Sequence, residues 1–319
     1  MVDFAAIQAA HARIQPHIHL TPVLTSERLN ATSGARLFFK AENFQKVGAF
    51  KARGATNAVL ALSAEVAARG VATHSSGNHA AALARAARLR GIPAHIVMPS
   101  NSSAVKVRAV EGYGGRIVFC APNQAAREAA CAQVIAETGA SLVHPYEDER
   151  VIAGQGTATV ELLAQVPDLD VVLCPVGGGG LLAGTALASR HLRPGLRVVA
   201  VEPAQAGDAA ESFRRGERTP WAQNNTIADG LRTNIGTTNF AIMQRAVDDI
   251  VTVTEAAIIE AMRTIWQTLK IVIEPSAAVP YAALLESTSA FAGRRVGLIL
   301  TGGNVDLDAL PWSAPKSPA

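Results

Sequence analysis

Residues 48–55, GAFKARGA, set one lysine, Lys51, directly after Phe50 in a run of small side chains. Lysines are rarely buried without a partner, so a solvated surface position is the ordinary reading. Residues 175–184, PVGGGGLLAG, carry four consecutive glycines, Gly177, Gly178, Gly179 and Gly180. Such a run leaves backbone N–H groups unobstructed and permits left-handed turns, so it can wrap an anion such as phosphate at a helix N-terminus. A tight strand-to-helix turn would need the same glycines for packing alone. No Gly-Lys-Ser/Thr follows, which excludes a Walker loop, and no acid stands where a dinucleotide fingerprint requires one. In HSSGNHAA, residues 74–81, Ser75, Ser76, Asn78 and His79 offer hydroxyls, an amide and an imidazole beside another helix start. That suits a carboxylate or a phenolate-type oxygen, and it equally suits an N-cap with turn residues. TGGNVD presents the Thr301 hydroxyl at a strand end. VEPAQAGD places Glu202 six residues before Asp208, a spacing that puts two carboxylates and an intervening carbonyl around a hard cation or forms a solvated acidic loop.

The elements that must position these groups alternate between strand and helix patterns. Asp3 is placed to cap a helix with apolar positions Phe4, Ile7, Ala10 and Ile14, and Pro16 falls near its end. LFF precedes the helical KARGATNAVLAL, and GVAT precedes NHAAALARAARLRG, where Gly91 is placed as a helix stop. AHIVM, RIVFC, SLVH, DVVLCPV, LRVVAV and RVGLIL continue the rhythm. Short, continuously apolar, β-branched strands separated by amphipathic helices indicate parallel sheets covered on both faces. The fold class is α/β. Nine or so strands favour two open twisted sheets over one, with residues 70–147 as a smaller lobe and 1–69 with 148–319 as the larger. Loops at the carboxyl ends of such strands are where sites are built.

Composition narrows the partners. The chain has 319 residues, 49% of them hydrophobic, enough for two domains with ample core. Its +3 charge comes from 29 basic and 26 acidic residues scattered without blocks, so no nucleic-acid surface is expected. Cys120, Cys131 and Cys174 are widely spaced, with no C-x-x-C pair for metal or redox work, as expected in a reducing cytoplasm. No apolar run approaches the roughly 18 residues of a membrane span, and the N-terminus lacks a signal-peptide core.

Taken in order and at these intervals, GAFKARGA, SSGNHA, GGGGLLAG, VEPxxAxD, TIADG and TGGN resemble pyridoxal-phosphate enzymes of the tryptophan-synthase-β fold type. The resemblance spans residues 15–307, within the branch of serine/threonine dehydratases, serine racemases and 3-hydroxyaspartate dehydratases. It implies a homodimer and a cofactor in the cleft between a large and a small mobile domain. Lys51 would be the residue that carries the cofactor, with Phe50 alongside. Gly177, Gly178, Gly179, Gly180 and Leu181 would hold its phosphate, and Asn78 would meet the ring's 3-hydroxyl oxygen. Gly230 of TIADG would line the ring, and Thr301 would face the pyridine nitrogen where relatives usually have serine. Ser75, Ser76, Gly77, Asn78, His79, Arg127 and Thr233 would contact the substrate. Glu202, the carbonyl of Ala206, and Asp208 match the branch's divalent-cation site for Mg²⁺, Mn²⁺ or Ca²⁺, although Gly207 replaces an acid common there.

The chemistry is consistent with these roles. A lysine beside a phosphate cradle is the nucleophile a cofactor aldehyde needs, and once displaced by substrate it is a base for the α-proton. A hydroxyl facing the pyridine nitrogen leaves it largely unprotonated, which favours prompt loss of a β-leaving group over transamination. The cofactor phosphate is placed to act as the acid for the departing hydroxyl. Water elimination from a β-hydroxy amino acid would then give an oxo acid and ammonia. Where threonine dehydratases read S-A-G-N-H this chain reads S-S-G-N-H, and Ser76 would supply an acid or base on the face opposite Lys51. Arg127 is either an exposed helix arginine or one turned to the substrate, where with His79 it would suit a second carboxylate. 3-Hydroxyaspartate is therefore expected ahead of L-serine and L-threonine. Serine or aspartate racemisation is the alternative reading. A non-catalytic phosphate-binding module is a third, predicting a colourless protein.

Overall fold

The computed structural model of the protein describes residues 2–75, 77–102 and 104–313. Ten strands run in chain order as β1 (Val23–Leu24), β2 (Arg36–Ala41), β3 (Val71–His74), β4 (Ala94–Pro99), β5 (Arg116–Cys120), β6 (Ser141–Leu142), β7 (Val171–Pro175), β8 (Arg197–Pro203), β9 (Asp249–Val253) and β10 (Arg295–Leu300). They form two sheets, a six-stranded one ordered β1-β2-β10-β7-β8-β9 and a four-stranded one ordered β5-β4-β3-β6. All pairings are parallel except the short β1 against β2. The expected α/β class and the two parallel sheets are therefore present.

Alternate residues of the larger sheet face opposite cores. Val172, Cys174, Val198, Ala200 and Ile299 pack with the helices Phe4–Ile14, Glu149–Gln165 and Gly180–Leu192. Leu173, Val199, Val201, Leu298 and Leu300 pack with the helices Glu255–Leu269 and Pro275–Glu286. Burial on both faces explains the uninterrupted apolar strands, since neither set of alternate residues meets water. The central strands of the smaller sheet, β3 and β4, are enclosed in the same way, by Ala80, Leu83 and Ala87 on one face and by Cys131 and Val134 on the other, while its edge strands β5 and β6 carry no buried residue. Two elements escaped the sequence pattern. β1 is two residues long, and β9 is an edge strand of which only Val253 is buried, so neither carries a continuous apolar run.

The helix Lys51–Leu60 that begins at the candidate lysine is fixed in two ways. A Cβ on Gly54 would lie 2.5 Å from Gln155 Nε2, and one on Gly154 would lie 2.6 Å from Gly54 Cα. Glycine at both positions is what lets this helix touch Glu149–Gln165 backbone to backbone. Beside that crossing, Arg53 donates to both Glu42 oxygens and both Glu161 oxygens at 2.7 Å, and Lys40 Nζ donates to Glu161 Oε2 at 2.7 Å. These four groups are buried. Desolvation opposes such a cluster, and mutual pairing with complete hydrogen bonding is what makes it tolerable.

Candidate active site

The carboxyl ends of β3, β7 and β10 converge on one cavity of about 370 Å³. Lys51 lines it, held there because Phe50 N donates to Thr301 O at 3.0 Å, tying the start of its helix to the end of β10. Lys51 is partly buried, with Nζ 5.0 Å from the Phe50 ring centroid and donating to Pro145 O at 2.7 Å. Burial pulls its pKa down to about 8, and the Glu274 carboxylate opposes that shift. A part-buried lysine with a depressed pKa on a cavity wall is better suited to act as a nucleophile than the solvated lysine of the ordinary reading.

The glycine run follows β7 and starts the helix Gly180–Leu192. Gly179 has φ +89°, and a Cβ on Gly178 would lie 2.3 Å from the Tyr146 ring. The Gly178 carbonyl is taken by Gly236 N at 3.1 Å and Asn239 Nδ2 at 2.7 Å. With its carbonyl and its Cα hydrogen side thus occupied, the loop can turn N–H groups and a helix N-terminus to the cavity, the arrangement that binds phosphate. Leu181 lines the same end.

Asn78 enters from the other side at the start of the helix Asn78–Arg90. Its Oδ1 accepts from Asn304 Nδ2 at 2.9 Å, and its Nδ2 donates to Glu274 Oε1 at 2.8 Å. The amide is thereby oriented with one N–H still free to donate. Thr301 Oγ1 is buried with no hydrogen-bond partner among the described residues, and Gly230, whose N donates to Ser276 Oγ at 3.0 Å, lines the cavity beside it. A buried hydroxyl without a partner costs free energy unless a ligand satisfies it. A nucleophilic lysine, a phosphate cradle, a free amide donor and an orphaned hydroxyl around one flat space fit a phosphorylated aromatic aldehyde.

On the substrate side, Ser75, Gly77, His79, Arg127 and Thr233 line the same cavity, whereas Ser76 lies outside the described residues. His79 is buried, its Nε2 donating to Val143 O at 3.0 Å. Burial, with Lys51 nearby, pushes its pKa down to about 3, so it is neutral and does not serve as the second cation beside Arg127. Arg127 Nε is buried and without a partner among the described residues. Glu274, Tyr146 and His74 are among the cavity-wall residues not singled out from the sequence. Glu274 is pushed up to about 8, by burial first and Asp229 second. It stands just before Pro275 at a helix start, and no residue pattern around it distinguishes it from an N-cap.

Glu202 near the end of β8 and Asp208 at the start of the helix Asp208–Arg215 are both buried. Glu202 accepts from Ala209 N at 3.0 Å and Ala210 N at 2.8 Å, and Asp208 Oδ2 accepts from Ile235 N at 2.8 Å. Asp208 Oδ1 has no partner among the described residues. Burial raises both carboxyls, Asp208 to about 6 and Glu202 well above its ordinary value, with Asp208 adding to the Glu202 shift. Among the described residues no group of three or more acidic, histidine or cysteine side chains gathers to hold a metal. What stands here is a two-carboxylate set with one free oxygen.

The fold and cavity define an α/β enzyme of the class that holds an aldehyde cofactor on a lysine. Residues 14–302 match the family described as pyridoxal-phosphate dependent enzyme, and the chain belongs to it. It is 53% identical over 305 residues, 96% of this chain and 97% of the relative, to a beta-hydroxyaspartate dehydratase of Paracoccus denitrificans (strain Pd 1222). A maize serine racemase structure superposes with a TM-score of 0.94 at 46% identity, covering 96% of this chain and 95% of that one. A pyridoxal 5'-phosphate-dependent aspartate racemase structure superposes with a TM-score of 0.93 at 39% identity, covering 98% of both chains.

Proposed function

We propose that this enzyme is a dehydratase, an ammonia-lyase that eliminates water from a β-hydroxy amino acid, with 3-hydroxyaspartate preferred over L-serine and L-threonine. The observation that carries the preference is Arg127, an arginine on the cavity wall with a buried, unpartnered Nε. A guanidinium in that state is placed to pair with a second carboxylate. Similarity to a beta-hydroxyaspartate dehydratase and to an aspartate racemase, both named for dicarboxylic substrates, supports it.

When bound, the cofactor supplies an electron sink that acidifies the substrate's α-carbon. Lys51 is the group that takes the α-proton, and its depressed pKa enlarges its neutral fraction near neutral pH. The glycine loop would hold the phosphate, Asn78 would offer its free N–H to the ring oxygen, and Thr301 would offer the ring nitrogen a hydroxyl in place of a carboxylate. Loss of the β-hydroxyl as water leaves an enamine, which hydrolyses to the oxo acid and ammonia. The racemase alternative requires a second acid or base opposite Lys51, the role given to Ser76, and rests on the relatives.

Three further readings belong to the same proposal. Glu202, Asp208 and the Ala206 carbonyl hold a divalent cation through the free Asp208 Oδ1. A homodimer forms over an apolar patch in which Leu20 is 69% exposed, Phe44 44% and Val272 43%; His19 bonds Phe44 O and Asn43 bonds Val272 O across it. Residues 70–147 close over substrate as a unit, carrying Asn78 and Arg127, in a cytoplasmic enzyme whose cysteines are all free. Oxo-acid formation from 3-hydroxyaspartate, L-serine and L-threonine, measured beside D-serine and D-aspartate formation, tests the substrate. No turnover of 3-hydroxyaspartate refutes the preference, and a colourless protein with no borohydride-reducible band on Lys51 refutes the chemistry.

A further inference from the structure

Asn78 can serve a cofactor oxygen only if its amide stands one way round, with N–H and not C=O turned to the ring. A chain of four groups fixes that choice from both ends. Asn304 Nδ2 donates to Val47 O at 2.8 Å and to Asn78 Oδ1 at 2.9 Å, and Asn78 Nδ2 donates to Glu274 Oε1 at 2.8 Å. A backbone carbonyl accepts only, so the Asn304 atom beside Val47 O must be the NH2. The Asn78 atom facing that NH2 must then be oxygen, which leaves the NH2 of Asn78 for Glu274. An ionised carboxyl at the far end also accepts only, so both ends demand the same polarity.

The backbone is shaped to build this chain. Val47 has φ +56°, a conformation that β-branched residues rarely adopt, and Gly48 follows at +68°. Strain held at one residue points to a use for it. Here the turn carries the Val47 carbonyl to Asn304, four residues before Lys51. A Cβ on Gly48 would lie 2.8 Å from Asn304 Oδ1, and one on Gly302 would lie 2.7 Å from Glu274 Oε1. Glycine at both positions leaves the chain its room. Glu274 is 3% exposed and lines the cavity, and the Asn304 backbone N–H favours its charged form.

We infer that Glu274 and Asn304 are positioning residues that set the polarity of the Asn78 amide, so that the cofactor's 3-oxygen meets a donor. Both act through Asn78, and the inference rests on the reading above that Asn78 meets the ring oxygen. A primary amide has two N–H groups, so one goes to Glu274 and the other to the ring oxygen, both of them acceptors. Reversed, the amide would set Oδ1 against those two acceptors at once and leave no donor for either.

The test compares two probes, pyridoxal phosphate and 3-deoxypyridoxal phosphate, which lacks the ring oxygen at issue. Kd for each is measured by equilibrium dialysis with the apoenzyme at pH 9, above the Glu274 value of about 8. The paired variant Asn304→Asp with Glu274→Gln keeps the total charge but exchanges donor and acceptor at the two ends, which favours the reversed amide. Its preference for pyridoxal phosphate over the deoxy analogue is expected to fall at least tenfold, as for a lost hydrogen bond to a charged group. Asn304→Ala, which releases one end without reversing it, is expected to lose less of the preference than Asn304→Asp alone. A role in packing alone predicts the opposite order, because the aspartate keeps the size of the side chain, and that order would overturn the inference. Circular dichroism and the thermal transition separate misfolding from reversal, and Asn304→Asp alone serves if the paired variant does not fold. If the reversing variant keeps the preference while Asn78→Ala loses it, the inference falls and the ring-oxygen reading stands. If Asn78→Ala also keeps the preference, the ring-oxygen reading itself falls and takes the inference with it.

Discussion

Only neutral Lys51 can attack an aldehyde, so capture of pyridoxal phosphate by the apoenzyme reports its protonation state directly. With a pKa of about 8, about one lysine in eleven is neutral at pH 7, against about one in 2,500 for an ordinary lysine near 10.4. That is an advantage of roughly 200-fold in reactive form. The sign follows from the direction of the shift: a lowered pKa means the neutral fraction grows as pH rises through 8, not through 10. The rate at which the visible absorbance band grows after mixing apoenzyme with cofactor should rise about tenfold between pH 7 and 9 and then level off. Glu274, itself pushed up to about 8, opposes the lowering where it is ionised, so Glu274→Gln should move the break to lower pH. A break near pH 10, or a Glu274→Gln break moved upward, would refute the view that burial sets the state of this lysine.

Three further outcomes are expected. Arg53→Met leaves Glu42 and Glu161 buried without their shared cation and should cost about 3–5 kcal/mol of stability by urea denaturation; a cost under about 1 kcal/mol would show that the cluster does not anchor the Lys51 helix. Gly178→Ala drives a methyl into the Tyr146 ring and should weaken cofactor binding at least tenfold by equilibrium dialysis, with a stability loss of about 1–3 kcal/mol. If the Glu202 and Asp208 set takes a cation, millimolar Mg²⁺ or Ca²⁺ should raise the melting temperature of the enzyme, by about 2.7 kcal/mol of stability at a hundredfold excess over Kd. Asp208→Asn should abolish that rise, and no rise in the unaltered enzyme counts against the site.

Much of the architecture was legible because burial on both sides of a parallel sheet leaves a direct mark on sequence. The strands from β2 to β8 and β10 are short apolar runs, and Asp3 caps the first helix by accepting from Ala6 N, with Phe4, Ile7, Ala10 and Ile14 buried as their spacing predicts. Lys51 and the four glycines were legible for a different reason. Each stands out by residue type, a lone primary amine among small side chains and glycines where Tyr146, Leu231 and Asn239 crowd the backbone.

The sequence by itself thus determined the α/β class, the parallel strands, and which loops carry the amine and the anion cradle, because these depend on local composition and periodicity. Only the tertiary structure decided the state of the groups once gathered. That His79 is a neutral buried ring, that Glu274 holds the Asn78 amide, and that His74 stands beside Arg127 all depend on residues far apart in the chain. Asn78 and Glu274 are 196 positions apart. Charge state and orientation in a cavity are set by desolvation and by partners from several elements at once, and no spacing along a single strand or helix records them.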